Sequence, residues 1–134
     1  MKGAIVPEVS DRAKGFSGPA LRAFFEIAKR WSLTAQEQMT LLGLDARSTY
    51  FKWKKDLEGS LSRDTLERIS YVLGIYKALQ ILLPDQEAAD TWIKRPNDAP
   101  LFEGKPALSR MLSGHVSDLY VTRQYLDVQR GGWA

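Results

Sequence analysis

The segment RSTYFKWKK, residues 47–55, combines cationic and aromatic side chains without an acidic residue among them. Its cations attract phosphate, and an arginine can also form two parallel hydrogen bonds with a guanine base. The segment contains four cations, Arg47, Lys52, Lys54 and Lys55, and three aromatic residues, Tyr50, Phe51 and Trp53. This chemistry is typical of contact with a nucleic acid. A solvated basic helix in an ordinary bundle is the alternative.

Two short predicted helices and a tight turn position this segment. Thr34, with Glu37 three residues later, forms a capping box that starts one helix, and Gly43 ends it. Asp45 is the predicted N-cap of the next helix, which runs from Ala46 to about residue 57. Such a pair is typical of the helix-turn-helix unit, whose second helix lies in the major groove of DNA.

The spacing of apolar residues supports this unit. Met39 on the first helix is followed 11 and 14 positions later by Tyr50 and Trp53, the spacing at which the two helices pack. Tyr50, Trp53 and Thr49 are predicted to face inward, and Leu44 is the apolar residue predicted to fill the turn. The outward face of the second helix then contains Ala46, Arg47, Ser48, Phe51, Lys52 and Lys55.

Each outward residue has an expected role. Arg47 and Ser48, near the start of the helix, are predicted to contact base edges, and Phe51 also faces the groove. Phosphate contacts, which set register and strengthen binding, are predicted for Gln36, Lys52, Lys54 and Lys55.

Helical periodicity recurs along the whole chain, so the predicted fold class is all-α. Residues 1–17 are predicted to be a flexible N-terminal arm, residues 18–60 a helix-turn-helix domain, and residues 61–134 a second helical domain. The first helix is predicted to start at Pro19 and end near Trp31. A long helix, 63–83, has apolar residues on two sides and is predicted to bridge the halves or to form a dimer interface. Three shorter helices, 85–95, 106–113 and 116–130, complete the prediction.

Composition excludes several kinds of chemistry. The chain has 134 residues, no cysteine and a single histidine, His115. Thiolate chemistry is therefore excluded, and no catalytic residue, metal site, cofactor or enzymatic activity is predicted. No segment approaches the roughly 20 apolar residues that cross a membrane, so we expect a protein of the bacterial cytoplasm. Residues 1–57 hold ten Lys/Arg against six Asp/Glu, whereas residues 58–134 hold nine against ten. The excess positive charge belongs to the half that contains the basic segment.

The C-terminal half contains an ordered series of short motifs: TWIKRPN, then LFEGKPALSRML, and finally YVTRQYLDVQRGGWA. This series resembles the toxin-binding region of the Xre/MbcA/ParS antitoxins, which are partners of RES-domain toxins. The matching residues are Trp92, Ile93, Pro96, Asn97, Phe102, Gly104, Leu112, Gly114, Leu126, Gly131 and Gly132. One departure is Lys105-Pro106, where the family usually has Ser/Thr-Pro and therefore a side-chain cap.

The resemblance implies a mechanism. RES toxins consume NAD, and their antitoxins bind them directly, with the C-terminal end reaching toward the NAD site. The expected obstructing segment is Gln129, Arg130, Gly131, Gly132, Trp133 and Ala134, in which Trp133 and a terminal carboxylate form an aromatic and anionic plug. Tyr120 and Arg123 are expected to be further toxin contacts, whereas Trp92, Phe102, Leu112 and Leu126 are expected in the core. The alternative for Trp133 is a position folded back on the core.

The expected partners are a RES-domain toxin, operator DNA and a second copy of the chain, assembled into a higher-order toxin-antitoxin complex. Two other hypotheses fit the same residues. One is a helix-turn-helix transcriptional repressor without a toxin partner, and the other is a protein inhibitor whose helix-turn-helix no longer binds DNA.

Overall fold

The computed structural model describes the backbone of residues 5–131 and the side chains of residues 17–131. Over this range the fold is all-α, as predicted, and contains seven α-helices and a single 3-10 turn. The helices are α1 (Ile5–Arg30), α2 (Ala35–Leu42), α3 (Arg47–Asp56), α4 (Arg63–Leu82), α5 (Gln86–Thr91), α6 (Ala107–Met111) and α7 (Val116–Gln129). The 3-10 turn, Trp92–Lys94, directly follows α5.

Helix α1 corrects the prediction for the N-terminus. It begins at Ile5 and continues through Pro19, so the start predicted at Pro19 is wrong. The segment 1–17, predicted to be a flexible arm, is helical from residue 5, and its flexibility stays a prediction. Proline is disfavoured inside a helix and tolerated in its first turn, so the sequence alone predicted a helix start at Pro19. Ser17, before the proline, is buried together with Leu21 and Phe24 beyond it. Packing therefore continues across Pro19 and outweighs the local cost of the ring.

The ends of α2 agree with the sequence, but the start of α3 does not. Thr34 Oγ1 accepts a hydrogen bond from the Glu37 amide at 3.1 Å, and the Thr34 amide donates to Glu37 Oε1 at 2.8 Å, which confirms the capping box. Gly43 ends α2 in the left-handed conformation, with a φ of 73°. The prediction for Asp45 is wrong, because Ala46 occupies the N-cap position without a side-chain hydrogen bond. Asp45 therefore lies one residue too early to reach the free amides of the first turn.

Helix α4 connects the two halves of the chain. Ser62 caps it by accepting a hydrogen bond from the Thr65 amide at 3.1 Å, and the Thr65 hydroxyl donates to the Leu42 carbonyl of α2 at 3.2 Å. One side of α4 packs on α1 and α2, and another packs on α7. Ile69 and Val72 on one apolar side and Ile75 on the other are buried in the core. Helix α4 thus contacts elements of both halves of the chain, and its alternative role as a dimer interface stays a prediction.

The C-terminal half is held by an aromatic cluster. The rings of Trp92 and Phe102 are 5.9 Å apart, and the rings of Phe102 and Tyr125 are 5.3 Å apart. Phe102 and Leu126 are buried, and Trp92 and Leu112 are partly buried against the core, so the prediction that these residues pack is confirmed. Within the described range, no helix is both long and apolar enough to span a membrane.

Candidate functional site

The buried side of α3 is the one that the sequence spacing predicted. Tyr50 is fully buried, Met39 and Trp53 are also in the core, and Leu44 packs against the core from the turn. The Tyr50 ring meets the edge of Phe25 from α1 with 5.9 Å between centroids. Helix α3 is therefore held by both α1 and α2, and its opposite side is left in solvent.

A buried hydrogen bond that sequence reasoning missed joins α2 to α3. The Tyr50 hydroxyl donates to Gln38 Oε1 at 2.7 Å, and Gln38 Nε2 donates to the Leu33 carbonyl at 3.0 Å. Both functional groups of the glutamine are satisfied, as a buried amide requires. The alternation of polar and apolar residues in α2 could have flagged Gln38, since it lies beside Met39 and one turn before the buried Leu41 and Leu42.

Six of the seven predicted DNA-binding residues lie on α3, and the seventh, Gln36, lies on α2. All seven are exposed: Gln36, Arg47, Ser48, Phe51, Lys52, Lys54 and Lys55. The guanidinium carbon of Arg47 lies 5.3 Å from the centroid of the Phe51 ring, and Lys54 Nζ lies 5.9 Å from that of Tyr50. Gln36 lies in the first turn of α2.

The cations of α3 have no carboxylate partners within the described chain. The described part of the chain contains five ion pairs, and none of them includes Arg47, Lys52, Lys54 or Lys55. Lys54 and Lys55 lie in the last turn of α3, where positive charge also complements the helix dipole. The result is a surface whose cations are not held in ion pairs and are suited to phosphate groups.

The predicted toxin contacts on α7 lie beside α4. Tyr120 is exposed, and its ring meets that of Tyr71 with 5.7 Å between centroids. The Tyr71 hydroxyl donates to Glu67 Oε2 at 2.9 Å, and this hydrogen bond to a carboxylate raises the pKa of Tyr71 above its ordinary value. Tyr71 and Glu67 were not among the predicted site residues, because the sequence does not reveal that α4 and α7 are neighbours.

The side chain of Arg123 on α7 packs against α4 at Gly74. An added Cβ at Gly74 would come within 2.5 Å of Arg123 Nε, so the missing side chain is what admits the guanidinium. Arg123 Nε also lies 3.5 Å from Asp127 Oδ2. The side chain is 38% exposed and forms one wall of an open groove that also contains Leu73 and Lys77. Arg123 and Tyr120 thus share one surface formed by α4 and α7.

The predicted obstructing segment is described only in part. Helix α7 ends at Gln129, which is exposed, and Arg130 Nη1 lies 3.8 Å from Asp127 Oδ1. Gly131 follows with a φ of 113°, a conformation that favours glycine. Gly132, Trp133 and Ala134 lie outside the described residues, so the predictions for them stay predictions.

One side chain connects the two halves near the start of α4. Arg68 Nε donates to Asp64 Oδ2 at 2.8 Å, and Arg68 Nη2 donates to the Gly114 carbonyl between α6 and α7 at 3.0 Å. An added Cβ at Gly43, in the turn between α2 and α3, would come within 2.8 Å of Arg68 Nε. Arg68 therefore lies against the helix-turn-helix turn while it binds the C-terminal half.

Comparison with known protein families divides the chain into the same two parts. Residues 17–74 match the antitoxin Xre-like helix-turn-helix domain, and residues 78–132 match the antitoxin Xre/MbcA/ParS C-terminal toxin-binding domain. The chain is also 57% identical over 112 residues to the uncharacterized protein y4oB of Sinorhizobium fredii. The aligned region covers 84% of each chain. A helix-turn-helix followed by a toxin-binding helical domain defines an antitoxin. The chain belongs to the Xre/MbcA/ParS antitoxins, whose two domains are not enzymatic families.

Proposed function

We propose that this antitoxin neutralises a NAD-consuming RES-domain toxin and represses its own transcription by binding operator DNA. Residues 18–60 supply the DNA-binding module, and residues 61–134 the toxin-binding module. The protein works in the bacterial cytoplasm. One observation supports the proposal most directly. The same chain has a toxin-binding domain and a basic surface on α3 whose cations have no carboxylate partners in the described residues.

The DNA-binding half of the proposal rests on α3. Its buried side is held by Tyr50 and Trp53, so its outer side enters the major groove as a rigid unit. Arg47 and Ser48, in the first turn, contact base edges. Gln36, Lys52, Lys54 and Lys55 contact phosphates.

The toxin-binding half rests on α7 and the segment after it. Gly131 lets the chain turn away from the helix axis, and residues 129–134 then obstruct the NAD site of the toxin. The surface formed by Tyr120 and Arg123 supplies the remaining contacts. Trp133, an aromatic side chain, is suited to a pocket that otherwise accepts the rings of NAD.

A homodimer is part of the proposal, because helix-turn-helix proteins normally read two half-sites with two copies. Ile81 on α4 is 51% exposed although it lies on an apolar side of the helix. This is consistent with a contact between copies along α4. Toxin binding to such a dimer produces the higher-order complex.

The first experiment measures NAD content and growth of bacteria that express a neighbouring RES-like reading frame. The antitoxin is supplied intact, truncated after Val128, or with residues 129–134 replaced by a Gly/Ser sequence of equal length. The proposal expects rescue by the intact protein alone. The Gly/Ser version controls for chain length, since it keeps the segment and removes its side chains.

Each other result has a defined meaning. If all three versions rescue, the inhibitory surface lies elsewhere on the last helices and the obstruction mechanism is wrong. If none rescues and the antitoxin does not co-purify with the RES-like protein, a RES partner is excluded. A transcriptional repressor without a toxin partner is then the better account.

Operator binding is tested separately by gel shift with the promoter fragment upstream of the gene. The proposal expects salt-dependent binding that the pair of changes Arg47→Ala and Lys52→Ala abolishes. A protein that rescues growth but binds no fragment at low salt would be a pure inhibitor whose helix-turn-helix has lost its DNA-binding role.

A further inference from the structure

Phe51 is an apolar side chain at the centre of a charged surface. It is 48% exposed on the outer side of α3, one turn after Arg47 and one turn before Lys55. Because the ring is only about half buried, the fold gains only part of the stabilisation that full burial of a phenylalanine would give.

The aromatic contacts of the ring are local to α3. Within the described residues, its ring contacts are with Tyr50, at 5.0 Å between centroids, and with the guanidinium of Arg47. Both of these residues belong to α3 itself. Tyr50 is held independently by Gln38 and by Phe25, so it does not need Phe51 for its position.

We infer that Phe51 reads thymine through the 5-methyl group, beside a guanine that Arg47 binds. The inference rests on the proposed DNA binding and names the bases that this surface recognises. The thymine methyl is the apolar group that base edges present in the major groove, and a phenyl ring is a suitable partner for it. Cytosine lacks this methyl, so the ring distinguishes the two pyrimidines.

The geometry restricts where the two bases lie. The guanidinium carbon of Arg47 is 5.3 Å from the Phe51 ring centroid, and successive bases on a strand are about 3.4 Å apart. The two side chains therefore reach base pairs one to two steps apart. The recognised half-site contains a thymine one or two steps from a guanine.

The contact between Arg47 and Phe51 also prepares the arginine for binding. A guanidinium over an aromatic face is attracted by the electron density of the ring. This attraction restricts the arginine side chain before DNA arrives, so less conformational entropy is lost on binding. Phe51 thus acts on two bases, directly on the thymine and through Arg47 on the guanine.

The test uses duplexes selected from a random pool by the full-length wild-type protein. In a selected duplex, each thymine is replaced in turn by uracil, which deletes only the methyl group, and affinity is measured by fluorescence anisotropy. We expect about a fourfold loss of affinity at one thymine in each half-site, as the burial of one methyl group predicts. With Phe51→Ala, the same replacement has no further effect on affinity.

Two further variants sharpen the comparison. Phe51→Leu keeps an apolar side chain and is expected to retain part of the sensitivity to the methyl group. Lys52→Ala, the matched control, removes a phosphate contact and is expected to weaken binding to the thymine and uracil duplexes equally. Circular dichroism of each variant checks that α3 is still folded.

Three results overturn the inference while leaving DNA binding intact. One is that no uracil replacement lowers affinity, and another is that the loss is as large with Phe51→Ala as with the wild type. The third is a change in the oligomeric state of Phe51→Ala in analytical ultracentrifugation without an effect of the methyl group, which would make the ring a contact between copies. If the wild type selects no duplex, the proposed operator binding fails, and the inference fails with it.

Discussion

The hydroxyl of Tyr50 on α3 donates a 2.7 Å hydrogen bond to Oε1 of Gln38 on α2, and both side chains are buried. This contact joins the two helices of the helix-turn-helix inside the core. Burial of Tyr50 and Trp53 leaves the opposite side of α3 in solvent, so core contacts of α3 position the surface proposed to bind DNA.

Removal of this hydroxyl is expected to destabilise the protein. In Tyr50→Phe, Gln38 Oε1 loses its partner in a buried site, which costs about 1–3 kcal/mol in free energy of unfolding. Urea denaturation measures the difference. Tyr76→Phe is the matched control, since within the described chain the Tyr76 hydroxyl makes no hydrogen bond and its ring contacts Trp31. Equal losses in both variants would contradict the importance of the bond to Gln38.

The salt dependence of DNA affinity is expected to show which lysines contact phosphates. Lys52→Ala and Lys55→Ala should each reduce the slope of log affinity against log salt by about one, because each removes one phosphate contact. Gel shifts at several salt concentrations provide the slopes. Lys105→Ala removes the same charge from an exposed position in the C-terminal half and should leave the slope unchanged. A slope that responds to Lys105 would indicate a general charge effect.

Truncation after Val128 is expected to remove toxin inhibition without unfolding the protein. The buried residues of α7, Leu119, Thr122 and Leu126, all precede the cut. The free energy of unfolding should therefore change by less than about 1 kcal/mol, the usual range for surface changes. Urea denaturation of the two chain lengths measures it. A loss of more than about 2 kcal/mol would instead place Trp133 against the core.

Arg68 is expected to be important for stability through its geometry as well as its charge. Its side chain is 11% exposed and bonds both Asp64 and the Gly114 carbonyl. Arg68→Lys keeps the charge but offers one nitrogen where Arg68 uses two, Nε and Nη2, so it does not reproduce the geometry of both bonds. We expect a loss of about 1–3 kcal/mol in thermal or urea unfolding. The matched control is Arg30→Lys, whose pairing with Glu26 is solvent-exposed and should matter by less than about 1 kcal/mol. Similar losses in the two variants would exclude a special role for Arg68.

The hydrogen bond from Tyr71 to Glu67 should be visible in the titration of the phenol. Glu67→Gln is expected to lower the pKa of Tyr71 toward its ordinary value, because the neutral amide no longer favours the protonated phenol. Since folding raises this pKa, the associated stability is present below the unfolded-state pKa and is lost as pH rises through the folded-state value. Ultraviolet absorbance of the phenolate, compared with Tyr71→Phe, follows the titration. An unchanged pKa would show that Glu67 is not the cause of the shift.

Much of the local structure follows from short-range patterns. The capping box at Thr34 and the end of α2 at Gly43 could be predicted, because each depends on residues within one or two helical turns. The inward position of Tyr50 and Trp53 could be predicted from their spacing relative to Met39 on the preceding helix. The exposed cations of α3 follow from the same periodicity. The resemblance to the antitoxins likewise rests on short motifs in a particular order.

Long-range contacts account for what the sequence did not reveal. The passage of α1 through Pro19 and the start of α3 after Ala46 depend on packing between elements, which overrides local preference. Gln38, Arg68 and the Tyr71–Tyr120 pair join residues that are distant along the chain or on different helices. The residue pattern alone thus determined which helices form and which of their sides are charged. Only the tertiary structure decided which helices are neighbours, because that depends on how the buried surfaces of the whole chain fit together.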